Sequence, residues 1–151
     1  MANTQAMCTS FKTEILSGIH ALGTTVIRAG TGADTLKAAL YLASASVNAS
    51  TTAYSASGEV SGAGYSAGGV TVTNATAPTS SGTTAYWTPS ASFTYTTVTL
   101  ATSFDCVLVY NSTQSNKAIS VHTFGAQTVT AGTFTLTMPT SDATNALIRI
   151  A

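Results

Sequence analysis

Ser92-Phe93-Thr94-Tyr95-Thr96-Thr97-Val98-Thr99-Leu100 sets large apolar side chains among threonines. Nearly every residue in it is aromatic or β-branched. Such a run favours extended backbone with one face toward a core and one toward water. Working outward, Asp105-Cys106-Val107-Leu108-Val109-Tyr110 is almost continuously apolar and reads as a strand buried on both faces. Asn111 to Asn116 turns the chain, and Lys117 to Phe124 returns with Ile119 and Val121 facing inward. Thr128–Thr130, Thr133–Met138 and Ala146–Ile150 follow as further strands. Upstream, period-two segments lie at Thr25–Arg28, Leu36–Leu42, Val70–Thr73 and Thr84–Thr88, the last ending in a turn at Pro89. Leu36, Leu40 and Leu42 predict a buried leucine face, and Gly30 to Asp34 predicts a turn before it.

Only one segment has helical spacing. Phe11, Ile15, Ile19 and Leu22 recur at three- and four-residue intervals, predicting a helix over about 9–22. Thr9 or Ser10 is its expected N-cap, Glu14 suits its early turns, and Gly23 is its expected stop. Nine or ten short strands and one short helix define an all-β chain. The expected fold is an antiparallel β-sandwich or barrel, jelly-roll-like, in a single domain over residues 1–151.

Composition narrows function. Charged residues are 7% of the 151 and the formal net charge is zero, while Ser and Thr make up about a third. Nucleic acid and anionic membranes need a basic footprint, which five scattered Lys and Arg do not supply. No apolar run approaches the roughly 18 residues of a membrane-spanning helix, and Met1–Gln5 has no secretory pattern. With so little like-charge repulsion, copies associate readily, so a homo-oligomer, a trimer first, is expected.

Enzymes, cofactors and metals call for convergent ionisable groups, and few exist to converge. His20 and His122 are the two histidines; Asp105, Asp142, Ser103 and Ser120 could complete a triad on paper, but no nucleophile-elbow motif accompanies them. No catalytic residue, cofactor or metal ligand is therefore assigned. Cys8 and Cys106 read as two buried free thiols, ahead of a disulfide. Gly58-Glu59-Val60-Ser61-Gly62-Ala63-Gly64-Tyr65-Ser66-Ala67-Gly68-Gly69 lacks the lysine and the strand–loop–helix setting of a phosphate loop. It reads instead as a tight loop, with Val60 and Tyr65 buried in the core or against a neighbour. Glu59 is then held by Lys, Arg or backbone amides. Glu59, Val60, Tyr65 and Trp87 are the expected interface residues. Tyr54, Tyr65, Tyr86, Tyr95 and Trp87 could instead stack on a sugar, but core or interface filling is the stronger reading.

Taken in order, several segments resemble a family of small virion structural proteins of tailed bacteriophages. They are Ser10-Phe11-Lys12, Gly18-Ile19-His20, Lys37–Tyr41, Thr52-Ala53-Tyr54, Gly58–Gly69, Val109–Ser112, Asn116-Lys117-Ala118, Gly132–Leu136 and Asp142–Ile150. The glycine-rich segment and the closing Asn145–Ile150 strand are the most specific. The resemblance implies a non-enzymatic virion component, made in the host cytoplasm. With the neutral, Thr-rich composition, it points to a capsid decoration or cement protein on the outer capsid surface, bound to the major capsid protein or other virion proteins. A tail- or fibre-associated protein with an adaptor or receptor- or glycan-binding role is the alternative.

Overall fold

The computed structural model describes residues 2–16, 18–23 and 32–151. The strand expected at Thr25–Arg28 and the start of the turn at Gly30 lie outside the described residues. The rest folds into two antiparallel sheets and a single short helix. In chain order these are β1 (Ala6–Met7), α1 (Thr9–Leu16), β2 (Leu36–Leu42), β3 (Val70–Thr71), β4 (Thr79–Ser81), β5 (Thr84–Trp87), β6 (Phe93–Asn111), β7 (Lys117–Leu136) and β8 (Ile148–Ile150). The larger sheet has the order β1-β7-β6-β2-β3 and the smaller β4-β5-β8. The arrangement is a sandwich and not a closed barrel.

Two strands dominate. Segments that read as separate short strands are continuous: β6 runs for 19 residues and β7 for 20, paired as one long hairpin. The breaks in the sequence pattern are bulges within these strands. Apolar residues sit at 93 and 95, then at 98 and 100, and the change of parity falls at Thr97, whose φ is +54°. The register slips between Tyr95 and Val98 at that point. The extra residue turns the second apolar pair back toward the core, so Phe93, Tyr95, Val98 and Leu100 are all buried.

The centre of the sheet is covered on both sides. Val107, Leu108, Val109 and Tyr110 on β6 are each no more than 2% exposed, which matches their uninterrupted apolar run. The expected leucine face of β2 is only half of its burial, because Ala39 and Tyr41 on the opposite face are as enclosed as Leu36 and Leu40. Trp87 and Ile148 bring the smaller sheet into the same apolar cluster. The Trp87 indole N–H lies 3.2 Å from Asn74 Oδ1 and 3.3 Å from the Thr76 carbonyl, so its polar edge is satisfied inside.

The helix is shorter than its apolar spacing predicts. Gly18, at φ +66°, ends it: the Gly18 amide donates to the Ile15 carbonyl (2.9 Å) and the Ile19 amide to the Glu14 carbonyl (3.0 Å). This pair of bonds closes the last turn through a left-handed residue. Leu22 therefore packs against the core from the segment after the helix. Neither expected N-cap serves as one. Cys8 precedes the first turn, the Thr9 amide donates to the Ala49 carbonyl, and the buried Ser10 hydroxyl has no hydrogen-bond partner among the described residues. With the helix ending at Leu16, Glu14 lies in its second half rather than among the early turns of a longer helix, and its carboxylate is turned to side chains beyond the helix.

The glycine-rich segment packs backbone to backbone on the large sheet. The Thr99 amide donates to the Ala63 carbonyl at 2.8 Å, and a Cβ on Gly62 would overlap the Thr99 carbonyl. Gly69, at φ +72°, lies against the Ala38 carbonyl of β2, where again no Cβ fits. A Gly69→Ala substitution combines a left-handed backbone with a steric overlap and should cost roughly 2–4 kcal/mol. Gly125→Ala, whose Cβ would meet nothing, should change stability by less than about 0.5 kcal/mol. Urea denaturation midpoints of the two variants measure the difference.

Candidate functional site

Three groups of polar side chains are the candidates. The first is centred on Glu59. This residue sits at the isolated pairing of the glycine-rich segment with Tyr41 of β2 and is 9% exposed. Its carboxylate accepts hydrogen bonds from the Tyr54 hydroxyl (2.6 Å), the Tyr65 hydroxyl (2.8 Å) and the Gly68 amide (2.7 Å). The Tyr65 oxygen also accepts the Leu40 amide at 3.0 Å, so this one hydroxyl joins β2 to Glu59. Tyr110 donates to the Gly68 carbonyl and Tyr95 to the Ala38 carbonyl, each at 2.8 Å. Tyr54 stacks on Tyr110 and Tyr65 on Tyr95. Burial, reinforced by the hydrogen bond to Glu59 and its charge, pushes the Tyr54 and Tyr65 hydroxyls far above the usual phenol value. They act as neutral donors and not as proton carriers near neutral pH.

The second group joins α1 to the hairpin turn. Glu14 Oε2 lies 2.8 Å from His20 Nε2, and Lys117 Nζ donates to Glu14 Oε1 at 2.5 Å. His20 Nδ1 lies 3.0 Å from Asn111 Nδ2, and Asn111 Nδ2 also reaches Asp34 Oδ2 at 2.8 Å. Asp34 further accepts the Ala21 amide and the Gln114 side chain. Burial alone would raise the Glu14 carboxyl, but hydrogen bonds and charge from Lys117 and His20 outweigh it and hold its pKa below the ordinary value. Glu14 and Lys117 stand 103 residues apart, and no local spacing foretells their meeting.

The third group is Ser120 and His122, two apart on β7, with Ser120 Oγ 2.9 Å from His122 Nε2. They line a groove of about 480 Å³ between β1, β7 and the segment leading to β8, with Arg149 and Asn145 also in its wall. Burial lowers the His122 pKa from its ordinary 6.5 to about 4, so the imidazole is neutral at physiological pH. The remaining triad residues are elsewhere. Asp105 accepts the Asn3 side chain at 2.5 Å, Asp142 caps the turn at Thr144 and Asn145, and His20 belongs to the Glu14 group. Cys8 and Cys106 are free and buried. Burial, with nearby Glu14 and Asp105 respectively, raises their thiols to about 11 and about 12. Among the described residues no three His, Cys, Asp or Glu side chains lie close enough to share a metal ion.

Three of the four expected interface residues, Glu59, Val60 and Trp87, are buried within the chain. Val60 is 4% exposed and Trp87 2%. Glu59 is held by two tyrosines and one amide, where Lys, Arg or amides were expected. Tyr65 is half-buried, and its ring borders a pocket of about 230 Å³ floored by Tyr95 and Val98. No protein-family model, curated protein or solved structure matches the chain.

Two outcomes test these assignments. Tyr65→Phe leaves the buried Leu40 amide without its acceptor and Glu59 Oε1 with the Gly68 amide alone, and should cost about 1–3 kcal/mol in urea denaturation. The His122 effect has a defined sign. The folded state keeps this imidazole neutral, whereas the unfolded chain protonates it near 6.5, so its contribution is complete above that pH and is lost as pH falls toward about 4. His122→Leu should flatten the loss of stability between these pH values, seen as a smaller difference between denaturation midpoints at the two ends.

Proposed function

We propose that this chain is a non-enzymatic structural protein of a tailed-bacteriophage virion, seated on the outer capsid surface as a decoration or cement protein. The observation that carries the reading is the state of the Gly58–Gly69 segment. It is one of the two most specific parts of the sequence resemblance, and it is a strap packed against β2 and β6, with Glu59 turned inward to tyrosines. A segment whose backbone and one carboxylate are spent on packing against the sheet suits a shape-preserving role. The Glu14 and Asp34 group ties α1 to the hairpin turn and Asp142 caps a local turn, which also favours a scaffold.

The surface supports the same reading. From Val60 to Phe104 and again from Ala118 to Ser141 the sequence has no Lys, Arg, Asp or Glu. Much of both long strands therefore presents threonine, alanine and backbone. Such a surface makes neutral hydrogen bonds and apolar contacts whose strength depends little on salt. A protein that binds only the assembled shell stabilises that shell by mass action, and many copies bridging capsomers add their effects.

Mixing the purified chain with capsids that lack it provides the test. Cosedimentation at on the order of hundreds of copies per particle, with a higher temperature for capsid rupture, is the expected result. Binding confined to isolated tails or fibres would move the protein to the tail-associated reading. A hydrolase or lyase activity abolished by His20→Ala or His122→Ala would overturn the non-enzymatic assignment.

A further inference from the structure

The large sheet protects its edges unequally. β1 and β3 have two residues each, and β4 and β8 of the smaller sheet have three, too short to template another strand. The open side of β6 beyond β2 is met by the glycine-rich strap through the Ala63–Thr99 pairing. The outer side of β7 is different. β1 pairs with it only at Ser120 and Val121, and the Cys8 amide reaches Ile119. From Phe124 to Leu136, β7 is paired with β6 on one side and, among the described residues, with no strand on the other.

This open edge also lacks charged and proline deterrents. Lysines, inward-pointing charges and prolines are what soluble β-proteins place on long edges. Phe124-Gly125-Ala126-Gln127-Thr128-Val129-Thr130-Ala131-Gly132-Thr133-Phe134-Thr135-Leu136 has none of them. Bends interrupt it: the register slips opposite Val98, Leu100 and Phe104, the Ala131 amide donates to Thr99 Oγ1, Ala131 has φ +45°, and the Gly125 carbonyl accepts the Gln127 side chain.

We propose that the outer edge of β7, residues 124–136, pairs antiparallel with the same segment of a second copy of this chain, joining two large sheets into one across a twofold axis. Identity of the partner follows from three features. An antiparallel strand pair is self-complementary, so each copy supplies the donors and acceptors that the other lacks. The segment is uncharged and the whole chain has zero formal net charge, so two copies meet without repulsion. Residues 124–136 pair with themselves about Thr130, so the exposed Thr130 faces its own counterpart, a pairing that favours antiparallel sheets, with the exposed Thr128, Thr133 and Thr135 flanking it. One long open edge per copy builds a closed pair, whereas a ring of three needs two different edges. The unit is thus a dimer, in place of the trimer favoured by composition. The pairing belongs to the free chain and does not depend on what particle it joins.

Sedimentation velocity on the full purified chain, without capsids, tests the pairing separately from the virion reading. The expected result is a reversible dimer at roughly 100 µM. Thr128→Lys together with Thr130→Lys places like charges across the seam and should weaken the dimer by about tenfold or more, with the circular dichroism spectrum and melting temperature retained. Ser80→Lys on β4, an exposed position on a three-residue edge, should leave it unchanged. In the unmodified chain, amide hydrogen exchange in 124–136 should slow as concentration rises. A monomer at that concentration, a trimer as the smallest associated unit, an undiminished dimer in the double lysine variant, or exchange in 124–136 that ignores concentration would each overturn the proposal.

Discussion

A strand nineteen residues long has two edges to satisfy and two faces to cover, and β6 fixes where β7, β2 and the glycine-rich strap sit by making those demands. β7 takes one edge along its whole length. β2 takes the other edge from Phe104 to Asn111, where the apolar run is densest. From Phe93 to Ser103 the second edge lies beyond β2. An irregular segment can cover it only by bringing backbone against backbone, and at Gly62 and Gly64 even one Cβ would overlap the carbonyls of Thr99 and Thr97. The strap at Gly58–Gly69 is the answer to that requirement, and its glycines follow from the closeness of approach rather than from mobility.

Holding such a strap is a separate problem, because glycine offers no side chain to anchor. Glu59 supplies the anchor from within the strap. Two tyrosines with raised pKa values and the Gly68 amide converge on one carboxylate, and Tyr65 passes the constraint on to the Leu40 amide of β2. Charge-assisted bonds of this kind are stronger than neutral ones. A chain with five acidic residues thus commits one to its least self-supporting segment. It commits two more, Glu14 and Asp34, to the contacts between the end of α1 and the hairpin turn. The scarcity of charge elsewhere does not mean that charge is unimportant here. The few carboxylates stand where backbone pairing alone leaves an element unattached.

The sequence announces strand against helix clearly, since period two and β-branching depend on neighbouring residues alone. The doubly buried run at Cys106–Tyr110 and the turn after Asn111 are legible for the same reason. Strand continuity is not. A bulge and a loop both interrupt the alternation, and only pairing with a partner strand distinguishes them, so β6 and β7 read as several pieces. The helix end at Gly18 illustrates a second limit. Apolar spacing runs on to Leu22, yet a left-handed glycine with two closing hydrogen bonds stops the helix first. Of the candidate sites, the importance of Glu59 and Tyr65 is visible as the one charge and the one aromatic in a glycine-rich run. The Glu14–His20–Lys117 and Asp34–Asn111–Gln114 contacts are invisible because they join residues that only the tertiary fold brings together.

An exposed edge as long as β7 raises the question of why the chain does not pair indiscriminately. Flat edges accept any extended strand, and they end in fibrils when identical strands stack without closure. This edge is not flat. Register slips lie opposite Val98, Leu100 and Phe104, and Ala131 turns through a positive φ in its middle. Bulges of this kind bend a strand and sharpen its local twist. A generic strand meets such an edge over a few residues before the bend separates them. A strand with the same bends in reversed order, which a twofold axis supplies from a second copy, can follow it further. The irregularities that divide β7 in sequence would then select its partner in solution, through shape where other proteins use charge.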